Sequence, residues 1–336
     1  MTVDIKTTTV QPRRHTFAHI ARRLGSDKPA SRYEEATYDM QPSANFHYRP
    51  TWAPDYEIFD RRRTVVTMED WDALKDPRQY YYGAYTIARA RMMESTEKNF
   101  AFVEKRSAFA KIDADWRAKL ELYIVPLRHF EWGANMNNCN ITDLGYGAAI
   151  TQATMYATMD RLGNAQILSR IGLLLDNQTG DSLAKAKMDW MEHPAWQKTR
   201  QMVEDSLVLE DWFEQFVAQN LVFDALVYSL VFGAFDAEGQ GRGAAAVSLL
   251  TEFITDWHEE TTRWVDFVMT RVAKETPENA AAIEAWITKW KAIALAALLP
   301  LANEVLGDGA SAALKITEQK LDARVAKLSL GERTMA

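Results

Sequence analysis

From Asp76 onward, apolar positions recur every three or four residues over long stretches, the spacing that places them on one face of a helix. Asp76-Pro77 reads as a start signal, and the helix it opens is expected to run to Ile112. A second helix is predicted from Asp115 to Asn137, with Pro126 inside it as a kink. A third covers Gly145–Leu175 and stops at the turn-rich DNQTG of Asp176–Gly180. A short helix leads to His193, and Pro194 then opens a long one to Phe235, ended by Gly239, Gly241 and Gly243. Ala244–Thr276, Pro277–Leu306 and Ser311–Leu328 complete the set. Only Val65-Val66 suggests a short strand. No repeat of about 20–50 residues is present, so long antiparallel helices point to an all-α bundle rather than a solenoid.

Residues 1–70 follow a different pattern. Pro12, Pro29, Pro42, Pro50 and Pro54 punctuate them, and no helical period outlasts a turn or two. Yet NFHYRPTWAPDYEIF (Asn45–Phe59) is rich in aromatics, which disordered tails lack. An extended N-terminal arm reconciles these features. Phe46, Tyr48, Trp52 and Tyr56 are expected to pack against a partner surface, with residues 71–330 forming the bundle domain.

Composition narrows the classes. The chain has 336 residues, 47% hydrophobic and 25% charged, enough for one large core or two modest ones. Eleven Trp and 14 Phe predict extensive aromatic burial. A formal charge of -7 argues against nucleic-acid binding. Cys139 is the only cysteine, so no internal disulfide or thiolate cage can form. The longest apolar run, Ile293–Ala302, is too short to span a bilayer, and MTVDIKTTTV lacks the apolar core of a secretory signal. A cytoplasmic setting without membrane contact is expected.

Helical bundles can hold a di-iron centre with a Glu from each of two helices and a Glu-x-x-His pair from each of two others. Carboxylates do fall on predicted stripes here. Glu131 follows Leu120, Ile124 and Leu127, but Ala134 stands where the His would be. Glu260 interrupts Leu250, Phe253, Trp257, Trp264 and Phe267, with Arg263 three residues on. Glu210 and Glu214 lie with Leu207, Val217 and Leu221, and Glu94 and Glu97 with Ile87, Ala90 and Ala101. None of the six His follows a Glu by three residues. Glu131, Ala134, Glu214, Glu260 and Arg263 therefore read as vestigial metal-site positions. Arg263, a permanent cation, is expected to neutralise one or more of Glu131, Glu214 and Glu260 in the space a metal would fill. No GxGxxG, Walker loop or GxSxG occurs. His129, Cys139, Tyr80–Tyr82 and the GQGRG of Gly239–Gly243 read as structural.

Several long stretches are more specific than any short motif. They are NFHYRPTW, DPRQYYYGAY, PLRHFEWGANMNN, RIGLLLD, DWFEQFVAQNLV and LTEFITDWHEETTRWVD. In these the chain resembles, over nearly its whole length, the β subunit of the hydroxylase component of bacterial multicomponent monooxygenases of the phenol hydroxylase type. The resemblance implies a ferritin-like bundle with additional helices. It implies an (αβγ)2 assembly whose α subunit carries the di-iron centre, activates O2 and hydroxylates the aromatic ring. It further implies a regulatory protein and a reductase carrying FAD and a 2Fe-2S cluster and drawing on NAD(P)H. The β subunit, on this resemblance, has lost the ligands and acts as scaffold. The competing expectation is a stand-alone carboxylate-bridged metal oxidoreductase with atypical ligands.

Overall fold

In the computed structural model, which describes residues 16–26, 28–40 and 49–328, the chain is helical, and no strand occurs among those residues. Two short helices, α1 (Ala18–Leu24) and α2 (Arg32–Thr37), precede the bundle. The bundle comprises α3 (Tyr82–Lys105), α4 (Ala114–Tyr123), α5 (Leu127–Leu144) and α6 (Ala148–Leu175). It continues through α7 (Asp181–Glu192), α8 (Pro194–Leu207) and α9 (Trp212–Gln240). The last three helices are α10 (Ala245–Ala273), α11 (Pro277–Leu306) and α12 (Ala310–Lys327).

Three helix boundaries and one expected strand differ from expectation, each for a local reason. Asp76-Pro77 does not open α3. Asp76 is buried in a turn, where its carboxylate accepts from the Arg78 backbone and guanidinium. Pro126 divides the predicted second helix into α4 and α5 instead of kinking it, because it lacks the N–H that the ladder needs there. The long helix from Pro194 is also two helices. Asp211 ends the loop at 208–211 and caps α9, its Oδ1 accepting from the Phe213 and Glu214 backbone N–H groups. The other Asp211 oxygen accepts from the Val65 N–H, so Val65-Val66 is pinned to a helix cap rather than to a strand.

Conversely, Pro300 sits inside α11 without ending it. The Thr199 hydroxyl donates to the Ala297 carbonyl beside the disrupted turn, at 3.1 Å. α9 contains two π-helical stretches, Val217–Phe223 and Leu230–Phe235, that spacing rules did not foresee. It is buried on nearly every side, which explains why a core helix is long and apolar enough to resemble a membrane span. The aromatic load goes inward as expected: Trp116, Trp196, Trp212, Trp257, Trp264 and Trp290 are fully buried.

Part of the N-terminal region packs on this chain itself. Val66, Met68, Trp71 and Leu74 join the main core. Arg23 of α1 reaches Asp70 at 2.6 Å and Asp72 at 3.2 Å. The Tyr33 hydroxyl accepts from the Asp76 N–H. Trp52 and Tyr56 lie further out, stacked with Arg63 and with Arg62 and Arg63 respectively, and Trp52 is 67% exposed. Phe46 and Tyr48 fall outside the described residues.

Candidate functional site: the ion-paired centre of the bundle

α5, α6, α9 and α10 pack around a centre that is polar. On α6, the buried row Ala153, Ala157, Arg161, Asn164, Leu168, Ile171 and Leu175 follows steps of three and four. Arg161 and Asn164 interrupt it, so both side chains point inward. Arg161 is completely buried. Its Nη1 donates to Glu131 of α5 at 3.2 Å and to the Tyr228 hydroxyl at 3.1 Å, and its Nη2 donates to Asp224 of α9. The guanidinium lies 4.6 Å from the ring centre of Trp257 on α10.

Each carboxylate has further donors. Tyr228 donates to Glu131 at 2.6 Å, Asn164 to the same carboxylate at 3.4 Å, and Gln219 to Asp224 at 2.9 Å. The Gln219 carbonyl accepts from Asn137, which also donates to Ser206 and accepts from Gln215. An amide seam thus runs from the centre along the α5–α9 contact. Every side chain in it is held by another, as buried polar groups require.

Burial drives the titration. It pushes the Glu131 and Asp224 carboxyls above their ordinary values, against the charge of Arg161. Burial alone would lower Arg161, but Asp224, Tyr228 and Glu131 outweigh it, and the guanidinium stays charged. One cation shared by two fully buried carboxyls does not balance two negative charges, so the carboxyls retain protons more readily than usual.

A second cluster begins one residue earlier. Asp160 of α6 faces α3, where Arg89 grips it through Nε at 2.8 Å and Nη2 at 2.9 Å. Tyr85 and Trp257 also donate to Asp160. Arg89 reaches Glu260 with two bonds of 3.1 Å, Arg78 reaches Glu260 at 3.3 Å, and Arg78 returns to Asp76. Burial alone would raise the Glu260 carboxyl, but the hydrogen bond and charge of Arg89 and the charge of Arg78 hold it below the ordinary value.

The sequence-predicted residues are distributed among these sites and the surface. Glu131 is central and Ala134 is buried one turn along. Glu214 lies apart at the rim, paired with Lys289 at 2.7 Å and with the Trp290 indole at 2.9 Å. Glu260 belongs to the outer cluster. Arg263 corrects the expectation: it is exposed and neutralises none of the three Glu residues. The inward row of α10 is Trp257, Thr261, Trp264 and Val268. Glu260 lies about 40° around the helix from Trp264, whereas Arg263 lies about 100° away. Glu94 and Glu97 are exposed on α3, and Glu210 is exposed in the 208–211 loop. The row chosen on α3 is its outer face; the inner face carries Tyr85, Arg89, Thr96, Phe100 and Val103.

A scan confined to carboxylates and histidines missed Arg161, Asn164, Asp224 and Tyr228. The available signal was the pair Arg161/Asn164, three residues apart on an otherwise apolar row. The residues at the centre do not fit a di-iron group. Glu131 and Asp224 supply one carboxylate from each of two helices, but Arg161-x-x-Asn164 replaces a Glu-x-x-His pair with a cation and an amide. No cluster of three His, Cys, Asp or Glu residues suited to a metal ion exists among the described residues.

The fold and centre define a ferritin-like helical bundle whose core is closed by an ion pair. The chain belongs to the Methane/Phenol/Alkene Hydroxylase family, which it matches over residues 52–276. It is 48% identical over 333 residues to the phenol 2-monooxygenase oxygenase component DmpL of Pseudomonas sp. (strain CF600), covering 99% of each chain. It is 43% identical to the oxygenase component MhpL of Acinetobacter pittii (strain PHEA-2), covering 100% of both. Among solved structures, it is similar to a chain of xenon-pressurised phenol hydroxylase from Pseudomonas sp. OX1. That match has a TM-score of 0.90 and 44% identity, and covers 97% of this chain and 98% of the other. These matches place the chain among the hydroxylase-component subunits of that family.

Proposed function

We propose that this chain is the non-catalytic scaffold of a di-iron phenol or related aromatic hydroxylase. The observation that carries the reading is Arg161, which spends Glu131 and Asp224 on a salt bridge at the bundle centre. A guanidinium cannot ligate a metal, and its positive charge opposes a cation at the same place. The di-iron centre, the site of O2 activation, belongs to a partner α subunit. Electrons come from NAD(P)H through a reductase carrying FAD and a 2Fe-2S cluster, and the assembly is (αβγ)2 in the cytoplasm. The relatives support this reading because their names assign them to the oxygenase component of phenol 2-monooxygenase.

The surface supports it as well. Trp132 and Met136 on α5, and Met155, Met159 and Leu162 on α6, are large apolar side chains left exposed on two helices that pack side by side. Such rows mark protein contacts more often than free surface. We assign them to the α subunit, with the exposed Trp52 and Tyr56 meeting the same partner.

The test is iron stoichiometry of this chain purified alone, after anaerobic incubation with Fe(II) and removal of excess metal. The expected result is no retained iron, with iron recovered on a co-purified partner. Two irons per chain would overturn the reading.

A further inference from the structure

Polar bonds tie α5 to α6 directly beneath the exposed apolar side chains of the two helices. Thr142 and Thr154 share a hydrogen bond of 2.8 Å, Asn135 donates to the Thr158 carbonyl at 2.8 Å, and Arg161 donates to Glu131 at 3.2 Å. These three rungs define one antiparallel register. In it Trp132 stands opposite Leu162, Met136 opposite Met159, and the half-buried Cys139 opposite Met155. Trp132 and Leu162 follow Glu131 and Arg161 directly in the chain, so the charged rung lies under that pair. At about 100° per residue, the outward row of each helix lies about 100° round from its rung residues. Because the helices are antiparallel, both rows open on the same side and make one face. Neither row carries an Asp, Glu, Lys or Arg between Trp132 and Cys139 or between Met155 and Leu162.

A buried ion pair is a poor source of stability, since well-packed apolar side chains of similar volume often do as well or better. What it supplies is direction. Apolar contacts tolerate a slide of one helix along another, whereas hydrogen bonds hold only over a narrow range of distance and angle. A face already held in its bound shape also loses less freedom on docking. We propose that the Glu131–Arg161 pair, with the Asn135 and Thr142 rungs, positions the partner-binding face: it holds α5 and α6 at the register and spacing that the α subunit reads. The inference rests on the assignment of that face to the α subunit, and the partner surface it implies is an uncharged, apolar one. Glu131 and Arg161 touch no partner themselves and act through Trp132, Met136, Met159 and Leu162.

The test separates assembly from stability. Dissociation of the assembled hydroxylase on dilution, followed by analytical ultracentrifugation, gives the affinity, and thermal melting of the free chain gives the stability. The triple variant Arg161→Met, Glu131→Gln, Asp224→Asn removes the charged rung without leaving a buried charge. Asn135→Ala removes the second rung and leaves the centre untouched. Arg89→Ala is the control, because it breaks the outer cluster between α3 and α6 and spares every α5–α6 rung. The triple variant is expected to melt no lower than Arg89→Ala yet to dissociate about tenfold more readily or worse, with Asn135→Ala weakened several-fold and Arg89→Ala within about twofold of the parent. The methyl resonances of Met136, Met155 and Met159 in the free triple variant should shift or split. Parental affinity in both rung variants would overturn the proposal, and so would an equal loss in Arg89→Ala, since affinity would then follow stability alone. Trp132→Glu places a charge on the face and leaves the rungs intact; it should abolish assembly. Assembly that survives it would sink the assignment of the face itself, an outcome distinct from failure of the rungs.

Discussion

Asp160 and Arg161 are neighbours on one helix, yet they anchor two ion clusters that behave in opposite ways. The inner cluster has one cation, Arg161, and two acids, Glu131 and Asp224. The outer one has two cations, Arg78 and Arg89, and three acids, Asp76, Asp160 and Glu260. Both carry one excess formal negative charge. Nevertheless, burial raises the inner carboxyls, whereas Glu260 in the outer cluster is held down. The difference is geometry and water. Two guanidinium groups reach Glu260, whose side chain is 21% exposed, while the inner carboxyls share one cation in a fully enclosed space. Counting charges does not predict a cluster's behaviour; the number of donors per carboxylate and the access of water do.

The comparison is broken most severely by Arg161→Ala. It should destabilise the fold by about 3–5 kcal/mol, because two buried acids lose their cation. Chemical denaturation of the variant would show it. Arg161→Met combined with Glu131→Gln and Asp224→Asn should recover much of that loss, since no buried charge is left unpaired. Arg89→Ala in the outer cluster should cost less, about 2–3 kcal/mol, as Arg78 still holds Glu260.

The pH dependence sharpens the contrast. Glu131 and Asp224 have folded values above their ordinary 4.5 and 3.8, so the native state binds protons before the unfolded chain does. Their contribution to stability grows as pH falls through the raised folded values towards those ordinary ones. Glu260, with a depressed folded value, stabilises above its ordinary 4.5 and loses that contribution as pH falls below it. Glu131→Gln should therefore remove an acid-side gain, and Glu260→Gln an acid-side loss, in melting temperatures measured across the acid range.

His258, packed on Tyr228 at the edge of the inner cluster, adds a third slope. Burial pushes it down to about 3, so the native state loses stability as pH falls from the ordinary 6.5 towards that value. His258→Phe should flatten the decline over that window. The smallest effect is expected of Arg263→Ala, within about 0.5 kcal/mol, because the side chain is exposed and holds no acid in either cluster. A loss of several kcal/mol there would restore Arg263 to the centre and remove Arg161 from its role.

The helical architecture was legible because its signals are local. Pro194 and Pro277 opened helices where predicted, the DNQTG turn ended α6, and the stripes on α5 and α10 found Glu131 and most of the buried row around Trp257 and Trp264. α3 misled because its buried face itself contains Arg89 and Thr96, so polarity did not mark the outside. α9 could not be phased because it is buried nearly all round and its π-helical stretches shift the register after Phe216.

The sequence by itself determined that this is a bundle of long helices lacking Glu-x-x-His pairs, and its long shared stretches determined the family. Only the tertiary structure decided which cation closes the centre. Helical spacing fixes the angle of a side chain about its own axis, and there Arg161 and Arg263 are both arginines near apolar rows. Which arginine meets Glu131 depends on how α5, α6 and α9 rotate against one another. That rotation is set by packing among residues far apart in the chain, which a period read along one helix does not contain.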